Sequence, residues 1–432
     1  MIIYKAHILF TRQQDRFEVF ENGYVAVDDG RVVGVANDVE QLGGNEADVI
    51  DLGDRLLIPA MNDIHVHAPQ YRNLGLAMDL ELLEWLDNYT FPEESRFADI
   101  HYAERMYRRF VHDLWRHGTM RTVCFATTHL PATRLLMNLF REAGMGAFVG
   151  KVNMNRNCPD ALCETLEAAE LACETLVREF GDADSLVRPI ITPRFIPSCT
   201  PEMLHLCGKL AQQYHLPVQS HLSENKSEIE LVKTLEPESS CYGDAYDRYG
   251  LFGQTPTIMA HCVWTEGDEL ELIRKNDVMV AHCPTSNLNL ASGMAPIRTF
   301  LDAGISVGLG SDISGGHDLS IFRMMVYAIQ VSKMHYQRDK SKHFLTLSEA
   351  FWLATKSAGR FFGHVGSFEP GYDFDALVID DSDLNHDHYS LLHRLERFIY
   401  VGDDRNIVHR FCRGREIAEP AARRRARSGS RA

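Results

Sequence analysis

His65 and His67 close the run Pro59-Ala-Met-Asn-Asp-Ile-His-Val-His67, and they constrain this chain more than any other feature. On a β-strand, residues i and i+2 point to the same face, so both imidazoles can reach one metal ion from a single strand. With 20 His in 432 residues, about one His-x-His arises by chance. A second pair, His386 and His388, lies in the polar stretch 380–388 and reads as a solvated loop. The first pair differs because partners recur downstream at the ends of other strands.

Between residues 59 and 364, strand-like runs alternate with helical stretches. The strands are expected over 61–67, 120–127, 147–153, 188–195, 217–221, 256–262, 277–282 and 305–311. Helices are expected over 161–180, 201–214 and 266–275. An amphipathic outer helix is expected over 99–117, with Met106, Phe110, Val111 and Leu114 on one face. Eight β–α units predict an α/β fold, a (β/α)8 TIM-like barrel spanning 59–364. Residues 1–58 read as short strands, with a hairpin over 24–35 turning at Asp29-Gly30. After 365 strands return, at 376–379, 398–401 and 407–408. The two chain ends, 1–58 and 365–418, are therefore expected to build one small β-sandwich domain. Residues 419–432 form an Arg-rich tail with the composition of a disordered, solvated segment.

Barrel enzymes assemble their sites at the C-terminal ends of the strands. Here strand one ends in His65 and His67, strand five in His221, strand six in His261, strand seven in His282 and strand eight in Asp312. Glu224 follows His221 by three residues. A lone strand-end His is usually a packing residue, and an Asp after Gly310-Ser311 is usually a turn residue. Five strand ends carrying such residues in one architecture are far less expected by accident. His65, His67, His221 and Asp312 are assigned as ligands of one Zn2+, with Fe2+ as the alternative. An open position on such a metal lowers the pKa of bound water toward ~7.

The pattern resembles the amidohydrolase superfamily, whose usual opening Pro-Gly-x-x-Asp-x-His-x-His appears here with Ala60 in the Gly position. Within it the chain is similar to the guanine deaminase family. That likeness lies in His67-Ala-Pro-Gln-Tyr71, Leu82-Leu-Glu-Trp-Leu-Asp-Asn-Tyr-Thr-Phe-Pro92 and Thr192-Pro-Arg-Phe195. It continues in Ser220-His-Leu-Ser-Glu-Asn225, His282-Cys-Pro-Thr-Ser-Asn287 and Gly402-Asp-Asp-Arg405. The resemblance covers residues 1 to about 416. It implies one zinc per subunit on the four ligands named, with guanine as substrate and xanthine and ammonia as products. It implies that Glu224, Asp312 and His261 are catalytic: Asp312 takes a proton from the attacking water, Glu224 shuttles protons, and His261 stabilises the tetrahedral intermediate. Gln70, Arg194 and Phe195 would form the purine pocket, with His221 and His261 beside the substrate. Strand four ends Thr192-Pro-Arg-Phe195, without the bridging lysine of two-metal relatives, so one metal is expected. The family also implies a homodimer.

Composition excludes little but shapes the rest. The formal charge of −16 opposes a phosphate-tracking surface, so no nucleic-acid partner is expected. No run approaches the ~18 apolar residues that would cross a bilayer. The ten cysteines are scattered without Cys-x-x-Cys, and the N-terminus lacks a signal-peptide pattern, which predicts reduced thiols and a cytoplasmic location. Two rival readings are an aminohydrolase for another heterocycle and a non-catalytic barrel scaffold. The context of Gln70 and Arg194-Phe195 opposes the first; retention of all four ligands and Glu224 opposes the second.

Overall fold

The computed structural model describes residues 1–45, 49–385 and 387–422. His386 and the Arg-rich stretch from 423 onward lie outside the described residues; His388 is exposed, as expected of a loop. Eight parallel strands follow in chain order: Met61–His67, Thr119–Phe125, Gly146–Gly150, Val187–Pro189, Val218–Leu222, Thr257–His261, Met279–His282 and Val307–Leu309. They pair as two four-stranded sheets, the first four strands and the last four. A bridge between Ile191 and Val218 joins the two sheets. A backbone hydrogen bond from Asp312 N to His65 O, 2.9 Å, links strand eight back to strand one. The third and fourth strands are each prolonged by a short piece, Val152–Asn153 and Thr192–Pro193, paired in parallel.

Ile64, Val123, Phe148, Ile258, Met279 and Ala281 fill the barrel interior. Val66, Cys124, Val149, Met259 and Val280 face outward against the helices, as strand alternation requires. Ile100–Arg116 shows how such a helix is specified. Asp99 caps it by accepting from His101 N, and Met106, Tyr107, Phe110, Val111 and Leu114 form its buried stripe. Pro201–Tyr214 and Gly267–Lys275 fall where the sequence places helices. The helix expected from 161 begins at Leu166, capped by Thr165. The residues before it form a loop closed by a disulfide between Cys158 and Cys163, with Cα atoms 5.8 Å apart. This corrects the expectation of reduced thiols throughout; Cys124, Cys173, Cys199, Cys207, Cys241, Cys262, Cys283 and Cys412 are free.

Both chain ends enter one seven-stranded sheet. Its order is Arg415–Glu416, Ile407–Cys412, Ala376–Ile379, Val49–Pro59, Ile2–Gln13, Arg16–Asp28, Arg31–Ala36. The expected hairpin is there, with Asp29 and Gly30 at φ 45° and 76°, as a two-residue type I′ turn demands. Tyr4, Ile8, Phe10, Val25, Val27, Phe374 and Phe411 pack together on one face of this sheet. Val32 at its edge exchanges backbone bonds with Gly371 and Tyr372, closing the sheet over that core.

One sequence expectation fails: 398–401 is no strand but the end of the helix Leu391–Val401. The aromatic and β-branched run Phe398-Ile-Tyr-Val401 is too short to arbitrate by itself. The spacing Leu395, Phe398, Ile399, buried against Phe322, is what decides. Among the described residues no helix is long and apolar enough to cross a membrane.

Candidate active site

The first strand carries one extra residue between Asp63 and Val66 relative to its neighbour. Such a bulge re-aims side chains. Ile64 turns into the barrel interior below it, and His65 and His67 both turn into the mouth above it. Strands five and six run in register with His221 opposite Ala260 and Leu222 opposite His261, which puts His221 and His261 within one residue of each other at the strand ends. Asp312 leaves strand eight at φ 46° and His261 leaves strand six at φ 75°, backbone conformations uncommon for residues with a Cβ. Gly310 makes the approach of strand eight to strand one possible: a Cβ there would lie 2.8 Å from His65 Cβ and 3.0 Å from Cys283 Sγ.

These ends converge. His67 Nε2 lies 3.2 Å from His221 Nε2. Asp312 Oδ1 lies 3.2 Å from His65 Nε2 and 3.4 Å from His67 Nε2. His261 Nε2 stands 3.7 Å from Asp312 Oδ2 and 3.4 Å from Glu224 Oε2. Phe125, fully buried, packs its ring beneath His65, His67 and His221 at 4.4–5.1 Å. His282 does not join them: it is buried, both its ring nitrogens lack a hydrogen-bond partner, and it borders a cavity on the helix side of strand seven.

The donor set fits a cation. His221 Nδ1 lies 2.6 Å from the Arg194 carbonyl and must donate to it, which leaves Nε2 as a bare lone pair facing His67 Nε2. Both ring nitrogens of His65 are buried without a hydrogen-bond partner. Burial, followed for His221 by the neighbouring imidazoles, holds His67 and His221 well below the ordinary histidine range, in the neutral form that ligates metal. Burial opposes ionisation of Asp312, but the facing imidazoles outweigh it and keep that carboxyl far below its usual range. Converging lone pairs and a carboxylate, orphaned in a buried place, are satisfied by a positive ion. His65, His67, His221 and Asp312 can hold it, with His261 alongside.

Glu224 sits at the cavity wall. Burial, then the Asp312 carboxylate, push it up to about 8, while Ser292 Oγ donates to its Oε1 at 3.2 Å. It therefore carries a proton at neutral pH. His261 Nδ1 donates to Asn287 Oδ1 at 2.8 Å, which fixes the ring and leaves Nε2 toward the reacting centre. Above this floor opens a cavity lined by Gln70, Arg194 and Phe195 and walled by Leu82, Trp85, Leu86 and Leu290.

Residues 56–417 match the amidohydrolase family profile. The chain belongs to the amidohydrolase family. The guanine deaminase of Dictyostelium discoideum is 38% identical over 440 residues, covering 96% of this chain and 98% of that protein. The guanine deaminase of Escherichia coli K12 is 34% identical over 381 residues, covering 86% and 85%. A crystal structure of guanine deaminase from C. acetobutylicum with bound guanine in the active site superposes with a TM-score of 0.94 at 50% identity, covering 96% of this chain and all of that one.

The geometry of this amidohydrolase also exposes residues the sequence reading gave no role. Asp63 accepts from Ser311 N at 3.0 Å and His65 N at 3.3 Å, stitching strand eight to strand one beside the histidine–aspartate cluster. Its place in the opening motif was the available signal. Glu94, buried behind the cavity wall, bonds both Gln70 and Arg194. No spacing rule marks it.

Proposed function

We propose that this amidohydrolase is a guanine deaminase, hydrolysing the 2-amino group of guanine to give xanthine and ammonia. One observation supports the proposal: Arg194, Gln70 and Phe195 line one cavity together with His67, His221 and Asp312 of the cluster that can hold a cation. The fold likeness to a guanine-bound guanine deaminase supports the same substrate.

Zn2+ is the ion proposed for the three imidazoles and one carboxylate, one per subunit, with Fe2+ as the alternative; when bound it acidifies water enough to make a nucleophile near neutrality. Asp312 turns Oδ1 toward His65 and His67 and Oδ2 toward His261, so Oδ2 is free to accept a proton from water attacking C2. Glu224, protonated at rest, donates to ring N3; of the two protons the water gives up, the first by way of Asp312, one goes to the leaving amine and the other restores Glu224. His261, whose Nδ1–H already donates to Asn287 Oδ1, presents Nε2 between Glu224 and Asp312, and in its doubly protonated form it donates from Nε2 to the oxygen that develops charge at C2. Arg194 offers a donor fork to O6 and N7, and Gln70 fixes the ring's orientation. Phe195, whose ring centroid lies 6.3 Å from that of His221, packs on the purine.

The proposal includes an organisation: a barrel over 59–364, a β domain from 1–58 and 365–418, and a tail from 419. It also includes a homodimer in the cytoplasm, read by sedimentation and fractionation. Guanine consumed with equal ammonia and xanthine released, and stopped by a chelator, is the expected assay result; folded, metal-loaded protein that leaves guanine untouched overturns the reading.

A further inference from the structure

Glu94 does not line the purine cavity, yet both polar residues that do so beside Phe195 are tied to it. It lies on Phe91–Ser95, which follows directly on the π-turn Leu86–Thr90 in the long connection after strand one. Its side chain is 1% exposed and that of Arg194 is 3% exposed. Oε2 accepts from Arg194 Nη1 at 2.7 Å, and Oε1 accepts from Gln70 Nε2 at 2.9 Å. On the other side, Gln70 Oε1 accepts from Ser314 N at 3.0 Å. The guanidinium carbon stands 5.0 Å from the Phe91 ring centre, so the same helical turn holds it twice.

A glutamine amide presents nearly the same shape when its oxygen and nitrogen are exchanged, so only its partners decide which way it points. Here the partners allow one answer. A carboxylate can only accept and a backbone N–H can only donate. The flipped amide would set oxygen against carboxylate and N–H against N–H, both inside a dry wall. The amide nitrogen is thereby held beside the guanidinium, and this corner of the cavity shows donors to whatever ring edge enters. A carbonyl and a ring-nitrogen acceptor fit that corner. An exocyclic amine would leave buried N–H groups facing each other, which is costly.

We infer that Glu94 is the positioning residue that makes the site select a 6-oxopurine over a 6-aminopurine, by locking Gln70 and Arg194 as one donor array. The inference rests on the proposed guanine reaction and names the discriminating element within it. Nothing in the chemistry at C2 requires Glu94; its effect is on recognition.

The experiment compares guanine with 2,6-diaminopurine, which keeps the 2-amino leaving group but carries an amine for the 6-oxygen and, with it, an N1 without hydrogen; release of the 2-amino group is followed by the purine product formed. Product formation gives kcat and KM for both on wild type, Glu94→Gln and Glu94→Asp holoenzymes, with metal content and thermal unfolding measured in parallel. In Glu94→Gln the carboxylate that accepts from both Gln70 and Arg194 is lost, and Ser314 N alone still orients the Gln70 amide. The kcat/KM ratio of guanine to 2,6-diaminopurine is expected to fall by ~10-fold or more, mainly through a higher KM for guanine. Glu94→Asp keeps the acceptor but reaches only one partner at a time, and a smaller fall of ~3-fold in the ratio is expected. That variant carries the test if Glu94→Gln does not fold. Equal losses for both substrates, leaving the ratio where wild type has it, would reduce Glu94 to scaffold and overturn the inference. Wild type inert toward guanine would instead overturn the reading of the reaction.

Discussion

At the mouth of the barrel, His65 keeps two buried ring nitrogens without a hydrogen-bond partner while His67 and His221 turn nitrogens toward each other. At the opposite end, near the start of strand two, Arg121 is equally buried but fully matched. Its Nη2 donates to Asp373 at 2.8 Å and its Nε to Asp375 at 2.5 Å, while Arg413 N and Nε close on the same two carboxylates. Both clusters draw residues far apart in the chain, and both are shielded from water. The difference lies in completeness. The lower cluster balances its charges from the chain itself and joins barrel to sheet. The upper one is complete only with something the chain does not encode. Buried polar groups left without partners are costly, so they persist where a ligand satisfies them.

Stripping the metal breaks the comparison most directly. Dialysis against a strong chelator is expected to lower guanine turnover by ~10⁴-fold or more, since the water it activates reverts toward a pKa of ~15.7. Circular dichroism should keep the signature of a folded barrel, and zinc added back should restore turnover. Turnover undiminished in metal-free protein would break the contrast. Next, Glu224→Gln should hold its metal and its melting temperature while losing roughly 10²–10⁴-fold in kcat, because it removes a proton and no ligand. An active Glu224→Gln enzyme would place the shuttle elsewhere.

The lower cluster should behave oppositely. Arg121→Met removes the buried partner of two carboxylates and leaves only the more exposed Arg413 and Arg31 against them, and a loss of about 3–5 kcal/mol in urea unfolding is expected. Turnover per folded molecule should change less than ~2-fold, and a specific collapse of kcat would show that the two ends are coupled. The smallest effect is in pH. Glu224 must be protonated to donate, and its pKa is raised from its ordinary value to about 8. So kcat/KM, which reports the free enzyme, should be level below that value and fall about tenfold per unit above it. A kcat/KM that instead climbs through that range would make Glu224 a base.

The residues proposed as ligands and proton shuttle are legible because each stands at or just past a strand end with a short local signature, and the β–α rhythm says which ends are ends. Cys158 and Cys163 were not paired in the reading, since a scatter of ten cysteines gives no pairing and only the loop before Leu166 brings these two together. Residues 398–401 were misread because four apolar residues satisfy strand and helix alike. Glu94 was invisible for a different reason. Its neighbour Glu93 is also an acid on the same short turn, and only the course of the chain through Leu86–Thr90 decides which of the two faces Arg194.

The sequence by itself determined which chemical groups were present, the alternation that makes a barrel, and the strand ends where those groups must stand. These follow from backbone periodicity and side-chain type, which are local. Only the tertiary structure decided that Asp63 would meet Ser311 across 248 residues, that nitrogens of His67 and His221 would face each other at 3.2 Å, and that Glu94 would hold Gln70 and Arg194 at once. Such meetings depend on how distant strands close and pack, and that free energy belongs to the whole chain and not to any segment of it.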